Sequence, residues 1–135
     1  MTFDLQSYLP FLFPPRGPND ISRLRKIGGF RGGCLVDSVA GEKISTVEMK
    51  DDNSNFAAVS SANSEAVRAK TEALKTLKLD DTMEDVLISY PDQYHIVRPL
   101  QSDEKVFLYV ALDRKSANLD RARRKMKSIE SQLGR

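Results

Sequence analysis

Few residues of this chain are of types and spacings that do chemistry. His95 is the sole histidine, and an imidazole titrates near neutrality and can act as a general base. It sits in an extended run, Tyr94-His-Ile-Val-Arg-Pro-Leu100, with Tyr94 and Ile96 expected on the opposite face. Neither Cys34 nor the hydroxyl residues form a local pattern that would make it part of a nucleophilic triad. One histidine and one cysteine exclude a multi-histidine metal site or a zinc cluster, and no cofactor is expected. Cys34, after two glycines at a strand start, reads as a small buried hydrophobe and not as a redox thiol. The acid pairs Asp51/Asp52, Asp80/Asp81 and Glu84/Asp85 fall in turns and at the start of a strand, where turn chemistry and solubility account for them.

Gly28-Gly-Phe-Arg-Gly-Gly33 is glycine-rich, but a phosphate loop needs strand, glycines, then helix, so that helix amides face the phosphate. Here a helix precedes the glycines and a strand follows, so the segment reads as a helix stop and a strand start. The charge feature with most chemical content is Arg121, Arg123, Arg124, Lys125 and Lys127. On a helix whose apolar stripe is Leu119, Ala122, Met126, Ile129 and Leu133, these five are expected to point outward, with Asp120 and Glu130 also off the stripe. They form either a solvated face or a surface for nucleic acid or an acidic partner. Nucleic acid is the weaker of these partners, because no aromatic residue is interleaved to stack on bases.

The elements that must position these groups begin with one domain of 135 residues. A chain of this size hides roughly two-thirds of its unfolded surface and needs no staples. A single cysteine allows no internal disulfide and suits a reducing, cytoplasmic compartment. No segment approaches the ~20 apolar residues of a membrane helix, and the apolar stretch Tyr8–Phe13, broken by Pro10, is not a convincing signal peptide. The net charge of +2 implies no polyanionic partner by itself. Residues 113–135 nonetheless hold eight Lys/Arg against three acids, a net of +5 that leaves −3 on the rest.

Residues 1–18 form an apolar, proline-containing arm that has to dock on the domain, on a second subunit or on a separate partner. Residues 19–135 form the domain. Asn19 or Asp20 can cap a short helix ending near Ile27. Gly33–Ser38 and Lys43–Met49 make a hairpin. A long helix is expected from about residue 55 to 78, with a stripe interrupted by Asn63 and Lys70 that suits a face meeting another subunit or a sheet edge. Strands follow at 83–90, 94–100 and 105–113, then the last helix from about Ser116. Val106–Leu112 is apolar at every position, which marks a central strand covered on both faces. The order α-β-β-α-β-β-β-α gives an α+β fold, a five-stranded, mostly antiparallel sheet sandwiched between helices.

At residues 19–133 the chain resembles the roadblock/dynein light chain domain. The resemblance rests on the Gly32-Gly-Cys-Leu-Val-Asp37 strand after a short helix, the long second helix, Tyr94–Leu100, and the closing strand and helix Phe107–Arg123. It implies a roadblock/profilin-like, non-catalytic homodimer, with two sheets joined edge to edge and two long helices side by side. It also implies a regulator or adaptor of small Ras-like GTPases, in a bacterial or scaffold setting. The joining strand would be Met83–Tyr90, placing Met83, Val86, Leu87 and Ile88 at the dimer interface with Val59, Asn63 and Val67 of the long helix. Glu65, Arg68, Glu72 and Lys75 would then form the partner surface. The alternative is a binder of nucleic acid or of an acidic partner through the basic C-terminal helix.

Overall fold

The computed structural model describes residues 17–40, 42–48, 65–66, 68–69, 72–73, 75–77 and 84–134. Five strands form one sheet: β1 (Phe30–Asp37), β2 (Glu42–Glu48), β3 (Val86–Ser89), β4 (Gln93–Pro99) and β5 (Val106–Asp113). Their order across the sheet is β2-β1-β5-β4-β3, and each neighbouring pair is antiparallel. The apolar run predicts the place of β5 correctly, since it lies at the centre and Val106–Leu112 are all buried.

The alternation of β5 across its two faces divides the core. Val106, Leu108, Val110 and Leu112 join Leu35, Ile96, Leu24, Met126 and Ile129 on one side. Phe107, Tyr109 and Ala111 join Cys34, Val36 and Val97 on the other. The first side is covered by a short 3-10 helix, Ser22–Lys26, and by the C-terminal helix, Leu119–Ser131. That helix starts where Asn118 Oδ1 accepts the amide of Arg121 at 3.0 Å. Its expected stripe faces the sheet: Ala122, Met126 and Ile129 are fully buried, and Leu119 packs against the cluster.

The expected first helix is shorter and tighter than an α-helix. Leu24 and Ile27 donate to the carbonyls of Ile21 and Leu24, each at 3.0 Å, the i to i+3 pattern. Neither Asn19 nor Asp20 is the cap: Ile21 holds that position with no side-chain cap, and Asp20 accepts the amide of Ser22 at 2.9 Å. The glycines after it are structural. Gly29 has φ +82°, and a Cβ there would meet the Asp113 carbonyl at 2.9 Å. Gly33 lies beneath Leu24, whose Cδ1 would be 2.6 Å from an added Cβ.

Of the expected long helix, the described residues 65–66, 68–69, 72–73 and 75–76 are helical. Lys75 Nζ donates to Glu104 Oε1 at 2.8 Å, linking that segment to the β4–β5 turn. The arm at 1–16, and Val59, Asn63, Val67 and Met83, lie outside the described residues.

Candidate interaction surfaces

β3 is an edge strand. Its four residues pair with β4 in the register Val86↔Val97, Leu87↔Ile96, Ile88↔His95 and Ser89↔Tyr94, and among the described residues no strand pairs with its other side. Within the expected 83–90, residues 84 and 85 are not strand, and the strand ends before Tyr90 because Tyr90 and Gln93 already close the turn, the Tyr90 amide donating to the Gln93 carbonyl at 2.8 Å. Val86, Leu87 and Ile88 are half-buried. Val86 packs on the Tyr109 side of the sheet and Leu87 on the side of the C-terminal helix. The opposite edge, β2, exposes Glu42, Lys43 and Thr46, and its pairing with β1 slips at Leu35/Val36. Charges and a bulge are features that discourage a further strand from pairing.

Two ion pairs that the sequence did not reveal anchor the C-terminal helix. Arg123 is expected to face solvent and Asp85 to be a solubilising acid at the start of a strand. Instead, Arg123 Nε and Nη2 both donate to the Asp85 carboxylate at 3.1–3.3 Å, and Asp85 is only 10% exposed. Glu130, expected among the solvated basic residues, is likewise 10% exposed and accepts from Arg98 Nε at 2.5 Å. Its second oxygen accepts the amide of Gln101 at 2.7 Å. Both ion pairs arise in the same way. Arg98 and Asp85 approach from the sheet, and a charge carried in to the flank of a packed helix needs a partner. For the Arg98–Glu130 pair the sequence offered one signal, an arginine inside the mostly apolar strand Tyr94–Leu100.

The other basic residues Arg121, Arg124, Lys125 and Lys127 are exposed. Glu65, Arg68, Glu72 and Lys75 are exposed helical residues. The Lys75 ammonium is held above its ordinary pKa, chiefly by its hydrogen bond to Glu104.

His95 has a structural setting. It is buried, Nδ1 lies 2.5 Å from the Tyr109 hydroxyl, and Nε2 lies 3.0 Å from Gln93 Oε1. With Nε2 donating to Gln93 and Nδ1 accepting from Tyr109, both nitrogens of a neutral ring are used. Burial pushes its pKa down, the nearby Arg31 adds to that, and Asp92 opposes it. Cys34 is fully buried. Among the described residues no group of three or more His, Cys, Asp or Glu is placed to hold a metal ion. Among them, too, no helix is long and apolar enough to cross a membrane.

This geometry has close structural parallels. Myxococcus xanthus MglB superposes with a TM-score of 0.71 at 20% identity, over 87% of this chain and 91% of that one. The chain has the roadblock fold. A roadblock/LC7 domain from Streptomyces avermitilis aligns with a TM-score of 0.69 at 13% identity, over 84% and 94% of the two chains. An MglB described as having a tetrameric arrangement gives 0.70 at 15% identity, over 89% and 90%. No protein-family model matches the chain, and no curated protein matches it in sequence.

Proposed function

We propose that this roadblock-fold chain is a non-catalytic, homodimeric interaction module of the cytoplasm that engages a small Ras-like GTPase. The observation that carries the reading is β3, a sheet edge with half-buried apolar side chains and no described strand beside it. An open strand edge recruits another strand, and β3 lacks the charges that blunt β2. Two copies would join there through Val86, Leu87 and Ile88, with Met83 and, from the long helix, Val59, Asn63 and Val67 contributing to the interface. The association of one solved MglB into a tetrameric arrangement supports a self-assembling role for the fold. The paired helices would present Glu65, Arg68, Glu72 and Lys75 to the GTPase. A binding module biases the switch loops of a GTPase by differential affinity for its nucleotide states, so unequal binding of the two states is what this mode of regulation requires.

Solution mass by light scattering tests the dimer. The intact chain is expected at twice 15.2 kDa, and Ile88→Lys, which puts a charge on the edge strand, is expected at the monomer mass with unchanged circular dichroism. A dimeric Ile88→Lys would remove β3 as the seam. Calorimetric titration of Ras-like GTPases, each loaded with GDP or with a non-hydrolysable GTP analogue, tests the partner. Equal affinity for both states, or none for either, would leave a dimer without the regulatory role.

A further inference from the structure

Lys26, Arg121, Arg124 and Lys125 line one groove of about 560 Å³ between the 3-10 helix and the C-terminal helix, with Ile27 and Ala122 in its wall. Among the described residues no carboxylate lines it. All four cations are exposed, and among the described residues none of them lies within ion-pair distance of an acid. The grouping differs from the basic patch read along the sequence. Arg123 is taken by Asp85, Lys127 borders a separate depression beside Arg98 and Glu130, and Lys26 joins from a segment distant in sequence.

The shape of this charge selects its ligand. From Arg121 to Ser128 the groove wall runs about 10 Å at 1.5 Å per helical residue. That length matches about three residues of extended chain. A compact phosphate would seek the amides at the helix start, but Asn118 already occupies the amide of Arg121 and Asp120 sits in the first turn. Nucleic acid would find no aromatic lining on which to stack a base. A peptide with spaced carboxylates meets the cations one by one, and an apolar side chain between them meets Ile27 and Ala122. We infer that this groove docks an extended acidic segment of a partner protein. The inference does not depend on the β3 seam, because the groove is built from helices on the other layer.

Fluorescence anisotropy on the full chain tests it, with a fluorescein-labelled peptide of Asp and Glu around a central Leu as probe. Saturable binding is expected, weakening about tenfold or more between about 50 and 300 mM salt as the charges are screened. Lys125→Glu and Arg124→Glu are each expected to cost about tenfold in affinity, and Lys127→Glu, which makes the same change of charge outside the groove, less than about twofold. Equal losses at Lys125 and Lys127 would mean diffuse attraction and would overturn the site. Displacement of the probe by an equal concentration of pyrophosphate, or tighter binding of duplex DNA than of the peptide, would overturn the ligand class. These side chains are exposed, and circular dichroism of each variant confirms that it is folded.

Discussion

The Arg123 guanidinium grips the Asp85 carboxylate through two nitrogens, so the C-terminal helix holds the residue that immediately precedes the open-edged strand β3. A planar, two-pronged donor fixes the direction of its acceptor as well as its distance. The start of β3 is thereby tied to the C-terminal helix and not left to fray, although only β4 pairs with the strand among the described residues.

Arg123→Ala is therefore expected to cost about 1–3 kcal/mol in chemical denaturation, the range for a hydrogen-bonded group left with an uncompensated, mostly buried carboxylate. It is also expected to raise the dimer dissociation constant, because the strand proposed to join the subunits loses its anchor. Asp85→Asn keeps a hydrogen-bonding partner and should do less on both counts. A stability loss with dimer affinity unchanged would separate the ion pair from the seam.

Arg98 and Glu130 form the more buried pair, at 6% and 10% exposure. Removing one partner strands the other charge, so Glu130→Ala is expected to destabilise by about 3–5 kcal/mol in urea unfolding. The double replacement Arg98→Met with Glu130→Leu removes both charges and is expected to recover most of that loss. A double variant as unstable as the single one would mean that the Glu130 bond to the Gln101 amide, and not the pair, carries the effect.

The legible parts of the fold were those set by hydrophobic pattern. Val106–Leu112 announced its central place because a strand covered on both faces has no reason to alternate. The stripe from Leu119 to Leu133 announced which side of its helix packs. The charged residues were misread where partners lie far along the chain. Asp85 and Arg123 are 38 residues apart, and Arg98 and Glu130 are 32 apart. A local rule assigns such groups to solvent, and only the packing of helix on sheet brings them together. The opening helix was misjudged for another reason. Between Pro18 and Gly28 there is too little chain to repay the nucleation of an α-helix, so a 3-10 turn forms instead. The basic groove was half legible, since the sequence showed the cations of the last helix but not that Lys26 completes them.

Gly29→Ala tests the turn that follows. The substituted residue would have to adopt φ +82° and its methyl would sit 2.9 Å from the Asp113 carbonyl, while the Gly29 carbonyl accepts the Asp113 amide at 2.6 Å. Strain of this kind costs about 1–3 kcal/mol, which thermal unfolding should read as a lowered Tm. Gly28→Ala is the control, because its nearest neighbour, the Ser116 carbonyl, would lie at an ordinary 3.6 Å. Equal effects at the two positions would remove the conformational argument.

His95 is buried among Tyr90, Gln93 and Tyr109, with Arg31 and Asp92 acting on it electrostatically, and its pKa lies below the unfolded value of 6.5. Between the folded and unfolded values, the unfolded chain binds the proton that the folded chain refuses. Stability must then rise with pH across that window. The contribution is fully present above about pH 6.5 and is lost as the pH falls from there toward the folded value. Protonation would also give Nδ1 a hydrogen where it accepts from the Tyr109 hydroxyl, so that contact must be rebuilt with the donor reversed. His95→Gln removes the titrating group while keeping a polar side chain. Its unfolding free energy, measured by urea titration at a series of pH values, is expected to be lower than that of the parent near neutrality, with the gap narrowing as the solution is acidified below 6.5. A gap that stays constant would mean that the imidazole does not change its protonation on unfolding, and that burial between Tyr90 and Tyr109 leaves its proton affinity unchanged.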